Sequence, residues 1–200
     1  MTYKPTAEQF LKDVSDHQMR IVRDDGKFRF IRFRCPDSLS YHFDLVTWPG
    51  CLCIAGDMGT DVFSRVADMF TFFRDDHGRI NPPYWGEKLL TISKYGGYEE
   101  YSKDCFIEAV TSDFNDHFDE LGDEAERAAC WEEVEDRVLR FAADKYQAVE
   151  AALGFNRNGF RFQDFCEHNL NEYTYHYIWR LRAIVWGIAK YDEITEGKEA

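Results

Sequence analysis

No stretch of this 200-residue chain approaches the roughly 18 consecutive apolar residues that a membrane-spanning helix needs, and no charged-then-apolar leader opens it. Missing too are the short patterns that place reactive groups. There is no GxxxxGKS or GxGxxG to cradle phosphates, and no GxSxG to lift a nucleophilic serine. The six histidines form no HxH, HxxxH or HExxH, and the six cysteines (35, 51, 53, 105, 130 and 166) form no CxxC. No catalytic residue, metal site or cofactor is therefore assigned, and the expectation is a non-enzymatic protein with reduced thiols in the cytoplasm. Internal repeats and low-complexity stretches are absent as well.

What the chain does have is apolar material and acid. A hydrophobic fraction of 44% with 16% aromatics is enough for a packed core and is not a disordered composition. The formal charge is −13, which argues against nucleic-acid binding by the molecule as a whole. Its layout is uneven. Residues 1–98 carry 13 acids and 13 bases, whereas 99–150 carry 17 acids against 5 bases.

Hydrophobic periodicity predicts an α+β protein: an amino-terminal helix with a four-stranded antiparallel meander, then a mostly helical carboxy-terminal half. Thr6 caps the first helix, with Phe10, Leu11 and Val14 on one face. Strands follow over about 17–23, 28–34, 41–46 and around Leu52 and Ile54, the second changing its apolar side as an edge or bulged strand would. From Val62 a spacing of 3 and 4 predicts a helix ending near Arg74. Phe106, Val110, Phe114 and Phe118 line a helix paired with a longer one expected over 123–153, making a helical hairpin. The aromatic segment 172–191 is expected in the same helical layer. Two regions result, 1–98 with the sheet and 99–200 with the helices, packed as one unit.

Three groups of residues are candidates for function. In the acidic hairpin, Asp116, Asp119, Glu120, Asp123, Glu124, Glu132, Glu133, Glu135 and Asp136 have few basic partners at i,i+4. Like charges so spaced destabilise a helix by a few tenths of a kcal/mol per pair. Such a face suits a basic partner, presenting carboxylates where duplex DNA presents phosphates; the plain alternative is a solvated face. The turn Gly56-Asp57-Met58-Gly59, with His42 and Arg65, is a possible ligand contact for a nucleotide-binding protein or small enzyme; the plain alternative is a structural turn. The hairpin 20–34, with Lys27, Arg29, Arg32 and Arg34, could contact nucleic acid or could be an edge guarded by charge.

The run DLVTWPGCLCIAGDMGTDVFSR (44–65), with Met69-Phe70, Ile80-Asn81-Pro82 and Tyr84-Trp85-Gly86-Glu87-Lys88-Leu89, resembles uncharacterised accessory proteins of tailed phages and prophages. The resemblance covers roughly residues 10–120 and carries no catalytic residues over. It implies a genomic context in which inhibitors of host anti-phage defence, the anti-CRISPR type among them, are common. The expected partner is a host defence protein or nucleoprotein complex in the cytoplasm of an infected bacterium, with no membrane involved.

Overall fold

Thr6 starts the first regular element. Its Oγ1 accepts the Gln9 N–H at 3.1 Å, and α1 (Ala7–Asp13) buries Phe10. The computed structural model describes residues 4–93, 96–121 and 124–196, leaving out the side chains of 120, 121 and 196. Within them the chain forms two compact units: a helical unit, 100–172, inserted in sequence between residues 4–99 and 173–196 of a sheet unit.

In the sheet unit six strands lie side by side in chain order and all antiparallel. They are β1 (Gln18–Asp25), β2 (Phe28–Arg34), β3 (Phe43–Trp48), β4 (Cys51–Gly56), β5 (Gly59–Ser64) and β6 (Leu89–Thr91). Alternation puts Ile31, Phe33, Phe43, Leu45, Leu52, Ile54 and Phe63 on one buried face. Two short helices, α2 (Met69–Phe73) and α3 (Pro82–Gly86), fall between β5 and β6.

The meander thus has two strands more than predicted. The helix expected from Val62 is cut short because 59–64 folds back on β4, its register Ile54 opposite Asp61 and Leu52 opposite Phe63. Helical periodicity holds only over α2. The bulge lies in β1, between Ile21 and Arg23, not in β2, which is flanked by β1 and β3. The apolar side changes in β2 because Ile31 and Phe33 face the core while Phe28 and Phe30 lie on the other, more open face.

The last helix, α7 (Tyr175–Glu196), belongs to the sheet unit and not to the helical layer where it was expected. Tyr177, Trp179, Leu181, Ile184 and Ile188 join the same core as the sheet, and Phe10 meets the Trp179 ring at 5.2 Å. A Cβ on Gly187 would stand 2.8 Å from Leu45 Cδ1 and 3.2 Å from the Phe33 ring. The helix lies on the sheet at a distance only glycine permits at that point.

One buried ion pair ties β5 to α7. Asp61, on the inward face of its strand, accepts the Arg180 Nε–H at 2.6 Å, and both side chains are essentially inaccessible. Arg180 Nη1 also donates to the Met58 carbonyl at 2.6 Å, and the Ser93 N–H donates to Asp61 at 3.2 Å. Gly59 (φ +99°) makes room: a Cβ there would meet Arg180 Nη1 at 2.9 Å and Ser93 Oγ at 2.5 Å. Burial pushes the Asp61 carboxyl up, with Arg180 and the Ser93 N–H opposing it.

The helical unit holds α4 (Lys103–Leu121), α5 (Glu124–Arg137) and α6 (Lys145–Gly154). The single helix expected over 123–153 is broken after Arg137 by a 3₁₀ turn at Leu139–Phe141, and Asp144 caps α6 through the Gln147 N–H at 3.0 Å. Val138 and Ala142, at the break, and Ala148 and Ala152, on α6, enter one core. A separate two-stranded sheet pairs β7 (Glu99–Tyr101) with β8 (Asn171–Tyr173).

Candidate functional site

The helical unit points its apolar residues inward with unusual completeness. Phe106, Val110, Phe114 and Phe118 recur every four residues along α4, and Cys130 and Val134 face them from α5. Phe160, from the segment after α6, sits among the rings of Phe114, Phe118, Phe155 and Phe162 at 5.7, 5.6, 5.9 and 5.1 Å. Seven buried phenylalanine rings, Phe165 included, in one small core leave the polar residues of both helices only the outside.

That outside is acid. Residues 100–172 contain 19 acids and 7 bases, a net of −12, so the rest of the chain nets −1. At about 100° per residue, Glu108, Asp116 and Asp119 fall within about 80° of one another, opposite the apolar seam of α4. Glu124, Glu132, Glu135 and Asp136 fall within about 120° on the outward face of α5. All seven are exposed.

Their engagement differs. Asp119 accepts from Arg127 at 2.6 Å, and Arg127 also donates to Asn115 at 2.8 Å, joining the two helices. Asp136 lies 3.6 Å from Arg140, an exposed pair contributing little. Glu135 accepts the Trp131 indole N–H at 3.0 Å. Among the described residues, Asp116, Glu124 and Glu132 have no cation partner. A groove of about 330 Å³ runs between the helices beside Glu124, lined by Thr111, Asn115, Arg127 and Trp131.

Glu133 is placed differently from the expectation. With Glu126, two turns earlier, it faces Arg157, which donates to Glu126 at 3.0 Å and to Glu133 as well. Arg137 adds a second contact to Glu133 at 3.2 Å. Hydrogen bonds from Arg157 and Asn158 hold the Glu126 carboxyl below its ordinary range. Glu126 and Glu133 therefore clamp the 156–159 turn to α5 and are withdrawn from the outward face. The Glu120 side chain and Asp123 lie outside the described residues. Glu108 belongs to the outward face although it was not among the chosen residues. The signal was available, since 108, 112, 116 and 119 share one helical stripe.

The second candidate group does not assemble. Asp57 accepts the Tyr41 N–H at 2.8 Å and donates its own N–H to the His42 carbonyl at 3.0 Å, while His42 Nδ1 donates to the Leu39 carbonyl at 2.6 Å. Both hold the turn before β3 against the β4–β5 hairpin. Arg65 lies just past the other end of β5, roughly 20 Å away at 3.3 Å per residue. Sequence spacing along a strand does not bring its two ends together.

The basic hairpin is neutralised in part within the sheet unit, with Lys27 and Arg34 reaching no carboxylate among the described residues. Arg29 grips Asp68 at 2.9 and 3.0 Å, Arg32 grips Asp44 at 2.9 and 2.8 Å, and Arg23 reaches Asp25 at 2.7 Å. Burial raises the Asp68 carboxyl, but the Arg29 guanidinium and the Phe70 N–H more than reverse it. Among the described residues, no group of three or more His, Cys, Asp or Glu side chains could hold a metal ion, and no helix is long and apolar enough to cross a membrane.

Compared with protein-family models, with curated proteins and with solved structures, the chain matches none. The outward faces of α4 and α5 remain the candidate on geometry alone.

Proposed function

We propose that this protein is a non-enzymatic binding protein whose helical unit engages a basic partner surface through the outward faces of α4 and α5. The observation that carries the reading is the exposure of Glu108, Asp116, Glu124 and Glu132 without a cation partner among the described residues, on a unit with a net charge of −12. A face kept for solubility alone would interleave lysines. Carboxylates held on two rigid, aromatic-filled helices suit a channel or groove that otherwise holds nucleic-acid phosphates. With the resemblance to phage accessory proteins, the partner is a host anti-phage defence complex that binds nucleic acid, and the outcome of binding is its inhibition.

The test is capture from host bacterial lysate followed by competition. A nucleic-acid-binding complex should be retained, released by duplex DNA or by salt raised from about 0.1 to 1 M, and lost on joint Glu108→Lys, Asp116→Lys, Glu124→Lys and Glu132→Lys substitution. Retention that survives the charge reversal rejects the reading. So does a captured complex that still binds its nucleic acid unhindered.

A further inference from the structure

The sheet unit holds a cleft unrelated to the acidic helices. It opens between α1, the 75–78 turn and one side of α7, with a volume of about 270 Å³. Phe10, Leu11, Val185 and Trp186 form its apolar wall, and Arg182 stands in it. Arg182 differs from the other arginines of the sheet unit that reach a carboxylate. Arg29, Arg32, Arg74, Arg79 and Arg180 each do so within 3.1 Å. Arg182 Nε donates to the Pro5 carbonyl at 2.9 Å, and no described carboxylate closes on it. Burial alone pushes its pKa down. A guanidinium partly withdrawn from water without a counter-ion carries a desolvation penalty that an incoming anion would relieve.

The other side of the cleft limits which anion fits. Asp75 accepts from the His77 and Arg79 N–H groups at 2.9 and 3.0 Å and pairs with the Arg79 side chain. Asp76 is exposed beside it. Two carboxylates lining the same cleft repel a polyanion such as a nucleoside triphosphate. The volume lies just below the roughly 300–1,000 Å³ usual for ligand pockets, enough for one ring or a short chain.

We propose that this cleft binds a small organic monocarboxylate, its carboxylate on Arg182 and its apolar body against Phe10, Leu11, Val185 and Trp186. The inference stands apart from the partner-binding reading, since neither uses the other's residues.

Titration calorimetry on the full chain tests it, with phenylbutyrate and phenylbutanol as probes of matched body. Phenylbutyrate should saturate one site, with the alcohol weaker by about tenfold or more. Arg182→Met should reduce the acid to the level of the alcohol and leave the alcohol unchanged. Ala189→Trp, an exposed lining position, should block both while leaving Arg182 in place. Equal binding of acid and alcohol overturns the proposal. So does an acid affinity untouched by either variant, or no saturable binding of the acid. Should Arg182→Met fail to fold, the comparison of acid with alcohol in the unmodified and Ala189→Trp proteins decides by the same outcomes.

Discussion

In the sheet unit, Arg29, Arg32, Arg74 and Arg180 each close on a carboxylate from another element, Asp68, Asp44, Asp192 and Asp61 in turn. In the helical unit, Arg127, Arg137, Arg140 and Arg157 serve only part of a set of 19 acids. One unit spends its charges on cross-links between its elements. The other keeps a surplus facing outward, over a core made almost entirely of rings and small residues. Charge matched inside a fold reports on architecture, whereas charge left over on a rigid surface reports on what that surface can meet.

The comparison can be broken at its strongest point first. Arg180→Met leaves the Asp61 carboxylate buried without its partner and should destabilise the sheet unit by about 3–5 kcal/mol in chemical denaturation. Asp61→Leu with Arg180→Met should recover most of that loss. If single and double variants unfold alike, the pair does not organise the sheet unit. In the helical unit the corresponding stress is apolar. Phe165→Ala, at a ring fully buried 5.6 Å from those of Phe106 and Phe162, should cost about 3–5 kcal/mol. Hydrogen exchange should show that loss in α4–α6 amides, with little change in β2–β5.

Next comes the approach of α7 to the sheet. Gly187→Ala should destabilise the sheet unit by about 1–3 kcal/mol, because the added methyl meets Leu45 and Phe33. A thermal midpoint equal to that of the unmodified protein would mean the helix can lift without penalty.

Smaller still is the response to salt. Raising sodium chloride from about 0.01 to 0.5 M should stabilise the helical unit by screening its like charges, a few tenths of a kcal/mol per i,i+4 pair. Amides of the sheet unit should change less, since ion pairs such as Arg29–Asp68 and Arg180–Asp61 are more enclosed. The opposite order would invert the comparison.

The smallest effect is at Asp75. Hydrogen bonds from the Arg79 side chain and backbone, with one from the His77 N–H, hold its pKa down to about 2. A depressed folded pKa stabilises above the unfolded value, near 3.9, and that contribution is lost as pH falls through about 2. A carboxyl NMR titration should find the Asp75 midpoint near 2, moving toward 3.9 in Arg79→Ala.

Much of the helical unit was legible residue by residue. Phe106, Val110, Phe114 and Phe118 recur at four, so their seam and the outward stripe of acids are two sides of one period. The first helix was legible for the same reason, with Thr6 as its cap. The helix expected from Val62 failed because Val62 and Phe63 fit a strand as readily as a helix, and the deciding fact is Asp61 turned inward toward Arg180, 119 positions away. The long helix over 123–153 failed because Val138, Ala142, Ala148 and Ala152 keep one helical face across the break, so the apolar period carries no mark of the 3₁₀ turn at Leu139–Phe141 or of the new start capped by Asp144. Glu133 looked like its neighbours until Arg157 came back from beyond α6 to hold it.

By itself the sequence determined where charge and apolar residues alternate, hence the class, the helical seams and the −12 gathered into one segment. These depend on neighbours three or four positions apart, which any short stretch contains. Tertiary structure alone decided the six-stranded order, the place of α7 on the sheet, and which carboxylates stay open and which are clamped. Those outcomes depend on which distant side chain arrives opposite, and a guanidinium 31 residues from its carboxylate leaves no local trace.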